Sequence, residues 1–496
     1  MPQHSTPGDD GNTSGRLGLL GVMMPGLAQV GPFFNILFST VLVAGLVGVS
    51  TPLVYLIAMF GIGATANTFA QFSHKYPSSG SFVTFITRAL GAPVGVVTGV
   101  VAMLGYVIAF GGIYAFVGDY IRQNLLGDVH FTGATALITA VYGVLVLLPA
   151  VLGLSFGMRT TIVLYVVEIA VLAIFVIGVL VQGGKDGFSL LPLTPHGIND
   201  PKSLALALSL TVLAYGGFEA AAPFAEETAN PRRNVPIALL ANVAISGLIY
   251  VLGSYALVLA FGVDHVDTMV KDPNPFVTAG HAFVPFVAVA VSWVFMSSIT
   301  SSYIAANLET SRVIAAGARG GLWWGGLSRL HPKFGTPWVA VVGFVAPSVA
   351  IGALSTLFSE PGAAAGFLGT YGTIGFLLMY VVTNVALVVE WIRDRRAGKR
   401  GHVFSRLISP VVGALVLMIP FWGDFQPGQA APYKYLPVLT VLLILAGVGY
   451  MLVLRNRRPW VMGRAAALLS GEEPAQEPPA AETAPTTETA PTRTLP

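Results

Sequence analysis

The stretch that decides the fold lies at the end of an apolar run. Residues 214–239 read AYGGFEAAAPFAEETANPRRNVPIAL. Two adjacent glycines, Gly216 and Gly217, precede a glutamate, Glu219, in a segment otherwise apolar enough to span a membrane. Backbone freed by such a break at membrane depth must be buried in protein or line a water-filled cavity. A broken helix with an acidic residue at the break is typical of a transporter's substrate site.

The chain as a whole has the composition of a membrane protein. Of its 496 residues, 54% are apolar and only 10% are charged, against about 25% charged in an average soluble domain. Apolar runs long enough to cross the ~30 Å hydrocarbon core recur along it. The sequence has no cysteine, which excludes a disulfide framework, a CxxC redox pair and a thiolate metal site.

Hydropathy predicts twelve spans in one transporter domain, residues 17–456. A disordered cytoplasmic N-terminus is predicted over 1–16. A cytoplasmic tail is predicted over 457–496, disordered from about residue 471, because its Pro, Ala, Thr and Glu cannot bury a core. The predicted spans are 17–45, 52–74, 92–122, 133–153, 160–182, 203–228, 236–262, 283–316, 337–356, 364–392, 405–423 and 435–455.

The distribution of basic residues predicts the orientation of these spans. With the N-terminus in the cytoplasm, 21 of the 26 lysines and arginines fall in inside segments. The opposite orientation would invert this bias and violate the positive-inside rule. Both termini of this multi-pass protein of the cell membrane are therefore predicted to be cytoplasmic.

The first span contains a second break. Pro25, Gly26, Gly31 and Pro32 interrupt the run GVMMPGLAQVGPFFNIL, and each proline removes a backbone donor. The pattern predicts two half-helices joined by an extended stretch near Gly26–Gly31, with the second starting around Pro32. Its free N–H groups and positive dipole end would face an anionic ligand group. A simple proline kink is the alternative.

The two breaks lie five spans apart, and this offset predicts an inverted repeat. Repeat one would cover 17–182 and repeat two 203–392, with helices one and six broken. Helices eleven and twelve, over 405–455, would lie outside the repeat. The fold class expected is therefore an all-α integral membrane protein with a 5+5 inverted repeat.

Four regions carry a family resemblance. Segment 214–239 resembles the sixth-helix signature of the amino acid–polyamine–organocation (APC) superfamily: aromatic-Gly-Phe-Glu, Ala-Glu-Glu and Asn-Pro-x-Arg. The other three regions are similar to the loop after span 2, the end of span 8 with the loop that follows, and span 10; they are 76–91, 307–337 and 369–384. The resemblance implies a LeuT-like fold and a permease for secondary transport of amino acids or related amines.

The chain departs from that family at the first break. Many relatives carry Gly-Ser/Thr-Gly-Ile-Phe there, with backbone amides that receive the substrate carboxylate. This chain has Leu-Ala-Gln-Val-Gly-Pro over 27–32, where Gln29 offers a side-chain hydrogen bond instead. The substrate-binding candidates at the two breaks and in span 3 are Gly26, Ala28, Gln29, Gly31, Tyr106, Tyr215, Gly216, Gly217, Phe218 and Glu219.

Several roles are open for the candidates around the second break. Glu219 can brace the unwound backbone, titrate during the transport cycle, or contact an amine. Phe218 and Tyr215 can pack against substrate or only between helices, and the same choice applies to Tyr106.

A further departure from the family is Glu168, deep in span 5. An ionisable residue inside the membrane is a functional candidate by default. In several proton-coupled relatives, the resemblance places a lysine here, in the position of a sodium ion. Spacing along span 8 suggests Thr300 and Ser301 as hydroxyl neighbours. Glu168 can carry a proton or bind a cation with them; a protonated structural glutamate is the alternative.

These observations predict a secondary active transporter of an amino acid or related amine, working by alternating access and coupled to protons. The alternatives are a polyamine or small-amine transporter or exchanger, and a transporter-like amino acid sensor. An enzyme is not expected, because the sequence has no HExxH, nucleophile elbow or Walker A motif. No cofactor or metal is expected, only a coupling proton or sodium ion. The expected partners are a small-molecule substrate and the lipid bilayer, and no nucleic acid is expected. The expected oligomeric state is a monomer or a homodimer.

Overall fold

The structure, a computed structural model, describes residues 17–462 apart from residues 128, 130, 132, 153, 273 and 400, and it gives only the backbone of 154–156. The predicted disordered segments, 1–16 and 471–496, lie outside the described residues. Eleven helical segments of the described chain are long and apolar enough to cross a membrane. The first of them, Leu19–Lys75, is 57 residues long.

The described residues form α-helices joined by short turns and 3₁₀ or π segments. The helices are α1 (Leu19–Val30), α2 (Pro32–Val47), α3 (Thr51–Lys75), α4 (Ser81–Leu90), α5 (Ala92–Tyr120), α6 (Ala134–Val151), α7 (Leu154–Gln182), α8 (Pro201–Tyr215), α9 (Pro231–Phe261), α10 (Val266–Lys271), α11 (Pro275–Phe283), α12 (Pro285–Arg319), α13 (Trp338–Phe358), α14 (Pro361–Arg396), α15 (Ser409–Asp424) and α16 (Leu436–Arg457).

The first break is narrower than the sequence suggested. The extended stretch predicted near Gly26–Gly31 is wrong, because α1 remains helical through Pro25 to Val30. Only Gly31 leaves the helix, at φ 51° and ψ 65°, a left-handed conformation that glycine adopts readily. The second half-helix, α2, begins at Pro32.

The second break spans two glycines. The α8 helix ends at Tyr215, and Gly216 follows in an extended conformation. Gly217 has φ 108°, a backbone conformation that residues other than glycine rarely adopt. The chain then continues as a 3₁₀ segment, Phe218–Glu227, before α9 begins.

The two breaks meet in the centre of the helix bundle. The α1 helix packs against α9, α12 and the 3₁₀ segment Phe218–Glu227. The α2 helix packs against α8 and α12, and α5 lies along α14. Helix α15 packs against α3, α8 and α14, and α16 packs against α5. The outward faces of both helices carry large exposed apolar side chains, as a lipid-facing surface requires.

Candidate functional site

The amides at the start of α2 are capped by a distant glutamate. The backbone N–H of Phe33 donates to Glu168 Oε1 at 2.7 Å. The next amide, that of Phe34, donates to Ser298 Oγ at 3.0 Å, and this hydroxyl donates to Glu168 Oε1 at 2.7 Å. A carboxylate at a helix N-terminus is favoured by the dipole and by the unpaired N–H groups. The amides expected to face a ligand anion therefore face an acidic group of the protein itself.

The carbonyls at the end of α1 also find side-chain partners. Tyr250 Oη on α9 donates to Val30 O at 2.9 Å, and Asn35 Nδ2 donates to the same oxygen. Ser302 Oγ on α12 donates to Gln29 O. Buried backbone groups at a helix break need such partners, so α9 and α12 hold the first break in place.

Glu219 serves the second break in a similar way, but locally. Its Oε2 accepts from the backbone N–H of Gly217 at 3.1 Å. Its Oε1 accepts from Tyr106 Oη, which reaches it from α5. The side chain is fully buried. Of the three roles considered for Glu219, this geometry supports bracing the unwound backbone.

A central cavity lies between the two breaks. Of the predicted substrate-binding residues, Gln29, Tyr106 and Gly216 line it. Aromatic and apolar side chains from α2, α5, α12 and α14 complete its wall. An apolar cavity with a few converging polar groups has the character of a small-molecule site.

The other candidates at the breaks lie behind this wall. Tyr215 Oη donates to Tyr55 O at 3.0 Å, and its ring packs edge-on against Tyr250. Phe218 packs against Phe69 and Tyr380. Both are buried in interhelical contacts, which is the second of the two roles considered for them.

Three small candidates shape the backbone of the first break. Ala28 O accepts from the N–H of Gly31 at 3.1 Å, which closes the last turn of α1. A β-carbon at Gly26 would collide with Asn242 Nδ2 of α9. Residue size at these positions therefore fixes how closely α1 approaches α9.

Thr300 and Ser301 are not the hydroxyl partners of Glu168. Thr300 Oγ1 lies 3.1 Å from Tyr142 Oη of α6, and Ser301 Oγ donates to Ser298 O at 2.8 Å. Ser298 takes the place predicted for them. A step of two residues along a helix rotates the side chain by about 200°, which carries Thr300 away from Glu168 and towards α6.

Two buried carboxylates that form no ion pair among the described residues were not predicted as site residues. Glu309 on α12 is buried and accepts from Gln29 Nε2 at 3.0 Å. Asp424 at the end of α15 is buried and accepts from Ser209 Oγ at 3.1 Å. A carboxylate within an apolar helix is itself the signal that would have found them.

A line of cavities leads from the centre to one end of the bundle. The central cavity shares Phe34 and Phe38 with a second cavity, which shares Leu210 with a wider outer one. Asp272 and Asp424 line the outer cavity. The central cavity is therefore approached from this end, past a constriction of aromatic rings.

The opposite end of the bundle is closed. Leu17 forms a bridge with Thr228: its N–H donates to Glu227 O at 2.8 Å, and its carbonyl accepts from Ala229 N at 2.9 Å. Arg312 of α12 pairs with Glu227 at 2.8 Å. These contacts tie the start of α1 to the 3₁₀ segment and to α12.

Comparison with known proteins identifies the family. The sequence model described as amino acid permease matches residues 21–462. The chain belongs to the amino acid permease family. It is thus a multi-pass membrane permease. Within its described residues, no group of three His, Cys, Asp or Glu side chains is placed to hold a metal ion.

Curated relatives of this permease cover most of its length. It is 25% identical over 418 residues to the low-affinity putrescine importer PlaP of Escherichia coli (strain K12), 81% of this chain and 86% of that protein. It is 27% identical over 412 residues to the branched-chain amino acid permease BcaP of Bacillus subtilis (strain 168), 79% and 83% of the two chains. It is 27% identical over 352 residues to the methylthioribose transporter of the same organism, 68% and 72%.

Proposed function

We propose that this permease is a secondary active transporter that moves an amino acid or related amine across the cytoplasmic membrane by alternating access. The observation that carries the proposal is the meeting of two interrupted helices, α1–α2 and α8 with its 3₁₀ continuation, at one central cavity. Interrupted helices that face each other at mid-membrane depth are how transporters expose backbone polar groups to a ligand. The relatives, which are named as importers, transporters and permeases, support the same class.

The proposed architecture is the LeuT-like one, with twelve spans. At about 1.5 Å per residue, the 57 residues of Leu19–Lys75 are long enough to cross a ~30 Å core twice. The chain turns at Gly48, between α2 and α3. The two breaks then fall in spans one and six, as a 5+5 inverted repeat over 17–182 and 203–392 requires. Helices eleven and twelve over 405–455 stand outside it.

The proposed orientation places both termini in the cytoplasm. The closed end of the bundle, with Leu17, Thr228 and Arg312, is then cytoplasmic, and the outer cavity opens to the outside. The bias of 21 basic residues to one side supports this assignment. In this state the central cavity receives substrate from outside. Breaking the Leu17–Thr228 bridge and the Arg312–Glu227 pair would open the inward path.

Glu168 is the proposed coupling group. It is buried and accepts hydrogen bonds from the N-terminal turn of α2 and from Ser298. A change in its charge alters its hold on α2, and α2 lines the central cavity through Phe34 and Asn35. A proton, or a sodium ion held with Ser298, would thus act directly on the binding site.

Reconstitution tests the transport proposal. Purified protein in proteoliposomes should take up labelled amino acids or amines from a broad panel when an inward pH gradient is imposed. Substrate-dependent flux above protein-free liposomes is expected. If no member of the panel is taken up, with either a proton or a sodium gradient, the transport assignment is wrong.

The coupling role of Glu168 has a separate test. Glu168→Gln removes the charge but keeps an oxygen that can accept from the α2 amides. We expect the variant to lose uphill accumulation while it retains exchange of internal for external substrate. Glu360→Gln, at an exposed glutamate before α14, serves as the matched control. Intact accumulation by Glu168→Gln would exclude the coupling role and leave transport itself standing.

A further inference from the structure

A buried carboxylate without a cation partner lies next to the central cavity. Glu309 on α12 is buried, and its contact across the helix interface is the amide of Gln29 at 3.0 Å. Arg312, one turn further along α12, is committed to Glu227 at 2.8 Å and to Leu308 O at 2.6 Å. Among the described residues, no ion pair to Glu309 is found. Ionised Glu309 is therefore costly unless a cation lies close by.

Gln29 is held in place by contacts from α12 and from the second break. Ser302 on α12 binds its backbone oxygen, and Glu309, two turns further on the same helix face, binds its Nε2. Its methylene groups lie against Gly217, where a β-carbon would come within 2.5 Å of Gln29 Cγ. Gln29 Nε2 donates to Glu309 Oε2 in this orientation, which is the orientation that an ionised Glu309 requires because an ionised carboxylate only accepts hydrogen bonds.

That orientation leaves one acceptor of the glutamine unused. Gln29 is 5% exposed, and its Oε1 has no hydrogen-bond partner among the described residues. Gln29 lines the central cavity. A buried acceptor without a donor loses its hydration without compensation. An N–H or O–H group of a ligand bound beside Gln29 would supply the missing donor.

The charge around the cavity selects the kind of donor. No lysine, arginine or histidine is among the described residues lining it. Two buried carboxyl groups lie behind the wall: Glu219 accepts from Tyr106 Oη, and Glu309 accepts from Gln29 Nε2. The amides at the start of α2 are already capped by Glu168. The cavity thus offers acceptor oxygens and no basic side chain, and the group that would attract a ligand carboxylate is occupied.

We propose that Gln29 Oε1 receives the ammonium group of the substrate, with Glu309 as the positioning residue that orients Gln29. The inference rests on the proposed transport function and deepens it. It assigns ligand recognition to the ammonium group, which amino acids and amines share, and makes the carboxylate dispensable. A hydrogen bond from Nε2 to a charged carboxylate also strengthens Oε1 as an acceptor.

A matched ligand set tests the specificity. Binding to the full-length protein in detergent would be measured by thermal shift and calorimetry with leucine, isoamylamine, isocaproate, putrescine and a panel of other amino acids and amines. Isoamylamine and isocaproate are leucine without its carboxylate and without its ammonium group. We expect compounds with an ammonium group to bind and isocaproate not to bind. Binding of isocaproate as tight as that of isoamylamine overturns the proposal, and so does the absence of binding by every ammonium compound.

A double-mutant cycle tests the positioning role. Glu309→Gln and Gln29→Leu should each raise the Kd of the bound ammonium compound by about tenfold or more, the value of one hydrogen bond to a charged group. Because Glu309 acts through Gln29, adding Glu309→Gln to Gln29→Leu should change Kd by only about twofold further, which is a strong departure from additivity. Glu360→Gln is the control for charge loss.

Two results would contradict the positioning role. One is an unchanged Kd in folded Glu309→Gln, with monodispersity and Tm as the check on folding. The other is a fully additive cycle, which indicates a merely structural effect. Uptake into proteoliposomes of a carboxylate that lacks an ammonium group would overturn this subsite while leaving the transport function intact. The absence of all uptake would instead contradict the transport function itself.

Discussion

Each helix break leaves backbone polar groups without partners in its own helix, and the two breaks satisfy these groups in different ways. At Gly31 a single residue leaves the helix, and its polar neighbours are satisfied by groups far away in sequence, such as Glu168 at a separation of 135 residues. At Gly216–Gly217 two residues leave the helix, and the amide of Gly217 is satisfied by Glu219, two residues on. The first break thus depends on how other helices are placed, while the second adds a local brace to its contacts with α5 and α9.

This difference has a consequence for transport. A break held by α7, α9 and α12 changes when any of those helices moves or when the charge of Glu168 changes. The local bond between Glu219 and the Gly217 amide, by contrast, moves with its own segment and helps the second break to keep its shape. We therefore expect the first break to respond to the coupling ion and the second to supply a constant surface of the cavity.

The largest effect is expected from Gly217→Ala. Its φ of 108° disfavours any side chain, and the new β-carbon would meet Gln29 Cγ at 2.5 Å. Backbone strain of about 1–3 kcal/mol adds to this collision, so uptake in proteoliposomes should fall to background. Gly45→Ala on α2, whose β-carbon would lie 3.7 Å from Val270, should transport normally. Normal uptake by Gly217→Ala would show that the second break is not a fixed surface.

Gly31→Ala should have an intermediate effect. The position is left-handed, at a cost of about 1–2 kcal/mol for a residue with a side chain, and the β-carbon would lie 3.3 Å from Ser302 Cβ. We expect uptake reduced by roughly tenfold, measured with the same substrate as for Gly217→Ala. The comparison between the breaks fails if Gly31→Ala is the more damaging of the two.

The smallest effect is expected from the hydroxyls of α12. Ser298→Ala removes a donor to Glu168 and an acceptor for the Phe34 amide, each worth about 1 kcal/mol. Uphill accumulation should fall by roughly fivefold. Ser301→Ala, whose hydroxyl binds only its own helix, should accumulate substrate like the wild type. Equal losses of accumulation in both variants would show that the Ser298 hydroxyl has no specific role in coupling through Glu168.

The family and the location of the spans followed from the sequence. The signature at 214–239 indicated a superfamily of permeases, and the match over 21–462 confirms the family. Most predicted span ends lie within a few residues of the helix ends in the structure. The spans could be located because hydropathy is a property of each segment alone. Every lipid-exposed helix must be apolar enough to cross the bilayer, whatever its neighbours are.

The site was predicted less completely. Gln29, Tyr106 and Gly216 line the cavity, whereas Tyr215 and Phe218 lie behind it. An aromatic residue near a break has the same sequence signature whether it faces a ligand or a neighbouring helix. The direction that it faces is set by helix rotation, which the sequence pattern of a uniformly apolar span does not encode.

What the sequence by itself determined is where the chain must break and where it must be buried. Gly31 and Gly217 mark the breaks because backbone sterics restrict their positive-φ conformations largely to glycine. Only the tertiary structure decided which polar groups meet. Glu168 reaches the amide of Phe33 and Glu309 reaches Gln29 across 135 and 280 residues. Those pairings depend on the rotation and register of packed helices. A shift of one or two positions along a helix turns a side chain to another face.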